Sequence, residues 1–310
     1  MTGKPSELSA AVIICTRNRP GILLRCLMCL RAQTRQPDEI IVVDNSDSAV
    51  HEEIVASVAE FGVKLLRFEG GLGSLPAMRN VGLDEASSDV VAYLDDDGFA
   101  SPIWLEEILA GYYVSPDIHG VTGRIEQGEL AHDDGSAAPR CGRFSVIRGP
   151  YGNFNYDTTR SFTVEQFQGT NMTFLRSAVV AMGGWDPAIN GGYGSSEDLS
   201  ICLGITANGG ELLYNPRALV VHGLAPREAG VPRQLASSPV FACFNTRCYT
   251  YLMLKYNLMR PWSLTALLFL GVRVRRCIFP EVRVDWRTRF ESAIAVFRGF
   301  LLGIRLSKAD

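Results

Sequence analysis

The chain has 310 residues, 47% of them hydrophobic and 20% charged, which is enough apolar content for a sizeable core and excludes general disorder. Its formal net charge of −3 hides a division: residues 1–240 carry a balance of −11, residues 241–310 one of +8, and the latter hold 12 of the 29 aromatics. The acidic body disfavours nucleic acid as a partner, and no apolar run reaches the roughly 18 residues of a membrane span. Residues 1–10 are polar and lack the apolar region of a signal peptide. The eight cysteines form no paired CxxC units, and Cys26-x-x-Cys29 has no histidine partner at zinc-like spacing, so reduced thiols in the cytoplasm are expected.

Along the first 125 residues, strand and helix signals alternate. Residues 11–15 form a short apolar, β-branched run, and 20–32 place Ile22, Leu23, Leu27 and Leu30 at helical spacing. Strands are predicted at 39–43, ending at Asp44, at 63–68, and at 90–94, ending in Asp95-Asp96-Asp97. A helix with proline in its first turn is predicted over 102–113, and a strand over 119–123. Strands that are apolar throughout, in βαβα order, imply an α/β fold with a mostly parallel sheet covered on both faces. Ligands of such sheets sit beyond the carboxyl ends of the strands, where this sequence has Thr16, Arg17, Asp44 and Asp95–Asp97.

Residues 128–143 read as a polar, mobile loop. The segment 162–222 follows, with Gly169-Thr-Asn-Met172, the glycine cluster 191–194, and Ser195-Ser-Glu-Asp198. A serine before Glu197 and Asp198 reads as a helix start, with both carboxylates in the favourable first turn. No internal repeat or low-complexity tract is present.

Three adjacent carboxylates at the end of a buried strand repel one another unless something neutralises them. Asp95 and Asp97 project in the same direction and are placed to share a hard divalent cation that also bridges a diphosphate, although a solvated Asp-rich turn is the simpler alternative for the tripeptide alone. Three further segments stand in register with this one: Val12-Ile-Ile-Cys-Thr-Arg-Asn-Arg-Pro20, Ile41-Val-Val-Asp-Asn45 and Ala77-Met-Arg-Asn-Val-Gly82, together with Tyr93-Leu-Asp-Asp-Asp97, resemble the nucleotide-sugar half of family 2 glycosyltransferases. Gly169-Thr-Asn-Met172, Gly183-Gly-Trp-Asp-Pro187 and Glu197-Asp198 resemble the acceptor half, in the same order. The resemblance covers about residues 10–225. It implies a GT-A fold over 10–235, with a nucleotide-sugar half at 10–125 and an acceptor half at 160–225. The implied reaction is an inverting sugar transfer from a nucleotide diphosphate sugar, with Mn²⁺ or Mg²⁺ as cofactor.

On that resemblance, Asp44 accepts a hydrogen bond from a uracil or thymine imide, with a buried helix cap as its alternative role. Thr16, Arg17, Asp95 and Asp96 belong to the same nucleotide-sugar site. Arg79 neutralises the diphosphate or pairs with Asp95. Asp97 binds the metal directly, Asp95 touches ribose or metal, and His222, ending the apolar run from Ala218, completes the metal site or is a satisfied core residue. Inversion needs one base opposite the leaving diphosphate, which the resemblance assigns to Asp198. Glu197 holds the acceptor or orients Asp198. Asn171 is assigned to acceptor binding, and Trp185 stacks on a sugar face or fills the core.

The tail, 236–310, contains two amphipathic stretches. Residues 262–277 end in a basic cluster. Residues 285–306 place Trp286, Phe290, Ala293, Ile294, Phe297, Phe300, Leu301 and Ile304 on one helical stripe, with Arg287, Arg298 and Arg305 elsewhere. Two expectations stand side by side: packing on the catalytic body or on a second subunit as a homodimer, and peripheral binding to the anionic inner face of the cell membrane. Taken together, the sequence predicts a transferase that uses a nucleotide-sugar donor and a saccharide or lipid-linked acceptor for cell-surface glycans. The alternatives are a nucleotidyltransferase of related fold and a non-catalytic nucleotide-sugar-binding scaffold.

Overall fold

The computed structural model describes residues 7–70, 74–128, 130–132, 135, 139–189, 196–223, 238–279 and 285–308. The glycine cluster 191–194 and Ser195 lie outside the described residues, as do parts of the predicted 128–143 loop.

Four parallel strands form one half of the central sheet: β1 (Ala10–Thr16), β2 (Glu39–Asp44), β3 (Lys64–Arg67) and β4 (Val90–Asp95). The helices between them are α1 (Pro20–Arg31), α2 (Ser48–Val58) and α3 (Leu75–Glu85), as right-handed crossovers between parallel strands require. α1 begins with proline at its first turn and buries Leu23, Cys26, Leu27 and Leu30. α2 and α3 have shorter apolar stripes, and α3 contains Gly82, which packs on Ile13 so closely that an added Cβ would stand 2.4 Å from its Cγ2.

After β4 the chain turns through Asp96 and Asp97 into β5 (Gly98–Ala100) and α4 (Trp104–Tyr112). The helix starts after the predicted residue 102. β6 (Ile118–Glu126) follows, and two small pairs are then made by β7 (Ala131–His132) with β10 (Tyr156–Asp157) and by β8 (Arg143–Ser145) with β9 (Gly149–Tyr151). β11 (Phe162–Val164), β12 (Asn171–Leu175) and β13 (Glu211–His222) complete the main sheet, in the order β11-β13-β6-β12-β4-β1-β2-β3. β12 is antiparallel to both β4 and β6, and so joins the two halves. This is the GT-A architecture.

Hydrophobic clusters cover both sheet faces, one packed against α1 and α4, the other around Tyr93, Phe174, Trp185 and Tyr214. α5 (Arg176–Ala181) and α6 (Glu197–Ala207) belong to the second half. Ser196 caps α6 by position but with φ of 73° and no side-chain hydrogen bond, so the predicted capping role is not filled by its hydroxyl. The C-terminal region is helical: α7 (Pro239–Lys255), α8 (Leu264–Ile278) and α9 (Trp286–Leu306). It shares a core with α6, through Leu199 and Leu203 against Tyr249, Leu252 and Phe269. The expected packing of the tail on the catalytic body is therefore present. All eight cysteines are free thiols.

Candidate active site

Parallel pairing brings the polar strand ends to one edge. Thr16 is in register with Asp44, and Cys15 with Asp95. The fully buried Asp44 accepts the backbone N–H of Ser46 at 2.8 Å through Oδ1. Its Oδ2 lies 2.6 Å from His51 Nδ1 and 3.6 Å from Arg67 Nη1. Asp44 does not cap α2, where Asp47 holds the N-cap position. Arg17 lies 3.7 Å from Asp47, and Asn18 exchanges hydrogen bonds with Asp47, so the loops after β1 and β2 are laced together beside Asp44.

The three consecutive carboxylates separate by environment. Asp96 turns inward, where Thr16 donates to Oδ2 at 2.8 Å and Arg19 pairs with Oδ1 at 2.9 Å. Burial pushes its carboxyl up to about 6, against the lowering effects of the Arg19 charge and the Thr16 hydroxyl. Both Asp96 oxygens already carry a protein partner, so it ties β4 to the β1–α1 turn rather than joining its neighbours.

Asp95 and Asp97 stay together and meet His222, one ligand atom of each lying within 4.8 Å of the others. Histidine arrives by strand pairing: β5 runs directly on from the triplet and is antiparallel to the end of β13, with His222 opposite Gly98. Two carboxylates and one imidazole at this spacing fit a divalent cation. His222 Nε2 lies 3.2 Å from Asp97 Oδ1, and Nδ1 lies 2.5 Å from Gln127 Oε1. Gln168 donates to the same Gln127 oxygen at 3.2 Å. Asp95 Oδ2 accepts from the Thr170 hydroxyl at 2.8 Å.

Arg79, buried on α3, links this cluster to the second half of the molecule. Its Nη2 is 3.7 Å from Asp95, and its guanidinium lies 4.4 Å from the ring centroid of Trp185. Its positive charge also reaches Asp198 on the first turn of α6, beside Glu197. Asp198 is partly exposed at its surface but surrounded by protein. Burial first, and the Glu197 charge second, push its carboxyl up to about 7, opposed by the Leu199 N–H at 2.8 Å and by Arg79.

Two predicted acceptor contacts need correction. Asn171 is fully buried at the start of β12, its Oδ1 accepting from Trp104 Nε1 and its Nδ2 donating to the Ala218 carbonyl, both at 3.0 Å. With both ends of its amide spent, it braces β12 against α4 and β13. Trp185 is 1% exposed, one face under Arg79 and its ring edge-on to Tyr93 at 4.8 Å, so it offers no sugar platform in this conformation. The buried alternative of the sequence reading applies.

Arg19, His51, Thr170, Gln127 and Gln168 had no assigned role from sequence. Arg19 and Thr170 stood inside recognisable motifs. Gln127 carried no signal, because its contact with His222 depends on β6 running parallel to β13, with Glu126 paired to Val221.

The model for "Glycosyl transferase family 2" matches residues 11–179, more than half of the chain. The chain belongs to glycosyl transferase family 2. Among similar family proteins is the pre-mycofactocin glycosyltransferase of Mycobacterium tuberculosis, 28% identical over 220 residues, which are 70% of this chain and 43% of that protein. Another is the glucosyl-dolichyl phosphate glucuronosyltransferase of Haloferax volcanii, 23% identical over 229 residues, 70% of each chain. The chain thus spans less than half the length of the first of these relatives. Among solved structures, GalNAc-T7 with UDP, GalNAc and Mn²⁺ has a TM-score of 0.60 at 20% identity, covering 87% of this chain and 55% of that one. S. aureus TarS 1–349 has a TM-score of 0.57 at 14% identity, covering 96% and 82%. At these identities the likeness is one of fold.

Proposed function

We propose that this family 2 chain is an inverting, metal-dependent glycosyltransferase. It moves a sugar from a UDP or dTDP sugar to a saccharide or lipid-linked acceptor in cell-surface glycan synthesis, at the cytoplasmic face of the membrane. One observation carries the reading: a single buried guanidinium, Arg79, stands 3.7 Å from Asp95 of the Asp95–Asp97–His222 cluster, and its charge acts on the raised carboxyl of Asp198. The two halves of a displacement, a leaving diphosphate and a base, then have a common cation between them. A lipid-linked acceptor has support from the relative named for acting on glucosyl-dolichyl phosphate, and the location from the basic, aromatic C-terminal region.

In this mechanism Asp44, held in orientation by His51, Arg67 and the Ser46 N–H, accepts the imide N–H of the base. Asp95, Asp97 and His222 would hold Mn²⁺ or Mg²⁺, which supplies neutralising charge to the diphosphate. Arg79 adds a second cation to the same anion. Asp198 takes the proton of the acceptor hydroxyl as that oxygen attacks the anomeric carbon from the face opposite the diphosphate. A carboxyl near 7 is matched to that task, being ionised at working pH yet basic enough to accept a proton. Glu197, adjacent to it, keeps that value up and holds the acceptor.

The test is a panel of nucleotide sugars with and without Mn²⁺, read as nucleotide release and as the anomeric configuration of the product. Metal-dependent release with inversion is expected. Full transfer by Asp97→Asn and Asp198→Asn, or retention of configuration, would overturn the mechanism.

A further inference from the structure

α9 buries Phe300 of its predicted apolar stripe but leaves Trp286, Phe290, Ile294, Phe297 and Leu301 of that stripe outside. α8 and α9 form an antiparallel hairpin: Trp262, just before α8, meets Phe300 edge-on at 5.4 Å, and Arg289 near the start of α9 donates to the Ile278 carbonyl at the end of α8. The face of α9 turned to α7 carries Gly299 and Gly303. A Cβ added at Gly299 would stand 2.1 Å from the Cys243 carbonyl oxygen, and one at Gly303 would stand 2.6 Å from that of Arg247. The helices meet at backbone distance, and Ser292, Ala295, Val296 and Phe300 fill the seam.

Apart from Phe300, the large aromatic side chains of α9 are left outside. Trp286, Phe290, Ile294, Phe297 and Leu301 recur at three- and four-residue spacing and form one stripe, between 48% and 79% exposed. Leu264, Leu267 and Leu268 on α8 are similarly exposed. Monomeric soluble proteins rarely leave so continuous an apolar strip in water. Arg298 and Arg305, one turn beyond Ile294 and Leu301, run along the edge of the stripe, with Arg287 at its start and Arg275 and Arg276 at the far end of α8, all exposed. Of the described acids on α9 and its cap, Glu291 is paired with Arg287 at 2.9 Å and Asp285 caps the helix through Thr288.

We propose that the outer face of the α8–α9 hairpin docks on an anionic lipid surface, with α9 lying in the plane of the interface. Aromatic and leucine side chains enter the acyl boundary while the arginines meet phosphate headgroups, the arrangement of interfacial amphipathic helices. Among the described residues no helix is long and apolar enough to cross a membrane, so the hairpin lies on the lipid rather than through it. Charge favours lipid over a second copy, because a two-fold contact through this face brings like arginine edges together. The support of the hairpin also reaches the site: Tyr251 and Lys255 of α7 both donate to Asp186 at 2.7 Å, next to Trp185 beneath Arg79. The proposal rests on the transferase reading only for the identity of the membrane, the leaflet where that reaction takes place.

The experiment uses the full chain with vesicles of neutral phosphatidylcholine and with vesicles containing about one-third phosphatidylglycerol, read by co-sedimentation. Two variants are compared with wild type, Trp286→Glu/Phe290→Glu and Arg298→Glu/Arg305→Glu, all at exposed positions. Wild type is expected to bind the anionic vesicles and to be released by raised salt, since exposed charges are screened within about 8–10 Å at moderate ionic strength. Each variant should lose at least tenfold in vesicle affinity while keeping the wild-type Tm and donor hydrolysis. Equal binding to neutral vesicles, undiminished binding by both variants, or a solution dimer that the same substitutions dissociate would overturn the docking proposal. Vesicle binding without any sugar transfer would leave it standing and overturn the transferase reading instead.

Discussion

The guanidinium of Arg79 stacks over the indole of Trp185, with its centre 4.4 Å from the ring centroid. Both residues are buried, and Arg79 Nη1 has no hydrogen-bond partner among the described residues. A buried cation with an unused donor is costly unless an anion completes it, and the donor diphosphate is the anion proposed for it. Trp185 is itself held by Asn80, whose side chain bonds both its N–H and its carbonyl. The stack therefore helps hold the guanidinium in place beside Asp95.

Loss of the stack should weaken donor use without abolishing chemistry. Trp185→Leu is expected to lower kcat/KM for the donor by about 3- to 30-fold, the range of a desolvated cation–π contact. Arg79→Lys, which keeps the charge but not the planar fork, should fall at or below that value. Donor titrations by calorimetry, alongside steady-state rates, check both, and unchanged donor affinity in Arg79→Lys would separate Arg79 from the diphosphate.

Asp198 sets a pH dependence. Its raised carboxyl, about 7, predicts that transfer increases with pH up to about 7 and then levels. Asp198→Asn should reduce kcat by about 10²- to 10⁴-fold with donor binding retained. The stability effect has the opposite sign to that of a paired carboxylate. Between the ordinary value of 3.8 and about 7, the folded chain keeps a proton that the unfolded chain has lost, so this contribution is full below that window and is lost as pH rises through it. Tm scans should find Asp198→Asn more stabilised relative to wild type at pH 8 than at pH 5.

Gln127 is placed to orient His222, the histidine proposed as a metal ligand. Because Gln127 Oε1 accepts from Gln168, it must also accept from His222 Nδ1–H, which leaves Nε2 turned to Asp97 as the free ligand atom. Gln127→Ala is expected to weaken Mn²⁺ binding by about 10- to 100-fold, and Gln127→Glu, which keeps an acceptor, to restore most of it. Free Mn²⁺ measured by electron paramagnetic resonance reads this without any turnover. Equal affinities in the three proteins would make the contact incidental.

His51 should tune base recognition. Its 2.6 Å contact holds one oxygen of Asp44 in place, so His51→Ala is expected to reduce UDP affinity by about 2- to 10-fold, the worth of one hydrogen bond. CDP, which lacks the imide N–H, should lose less, and equal losses for the two nucleotides would remove Asp44 from base reading.

Much of the donor half is legible in the chain because its signals are local. β1, β2 and β4 are short, largely buried apolar runs, and the polar residue that ends each marks the ligand edge, as Thr16, Asp44 and Asp95 do. α2 and α3 are harder to see, because their stripes are short and Gly82 weakens the helical signal of α3. Asn171 and Trp185 mislead for a different reason. A polar amide and an aromatic in a loop-rich segment suit a ligand and a brace equally, and only the positions of Trp104, Ala218 and Arg79 distinguish the two.

The sequence by itself determined the α/β class and the residues that gather at the strand ends, since these depend on near neighbours and on a period of two or of 3.6, while the family was legible from the resemblance of its motifs. Tertiary structure decided the rest. Long-range pairing inserts β12 between β4 and β6 and carries β13 back to β5, and this brings His222 to Asp97 and Gln127 to His222. It also decided which side of α9 is inside. The periodicity of α9 offers a bulky stripe and a small-residue stripe, and backbone contact with α7 falls on the small one, at Gly299 and Gly303. Apart from Phe300, the aromatic side chains are left outward because the seam has no room for them.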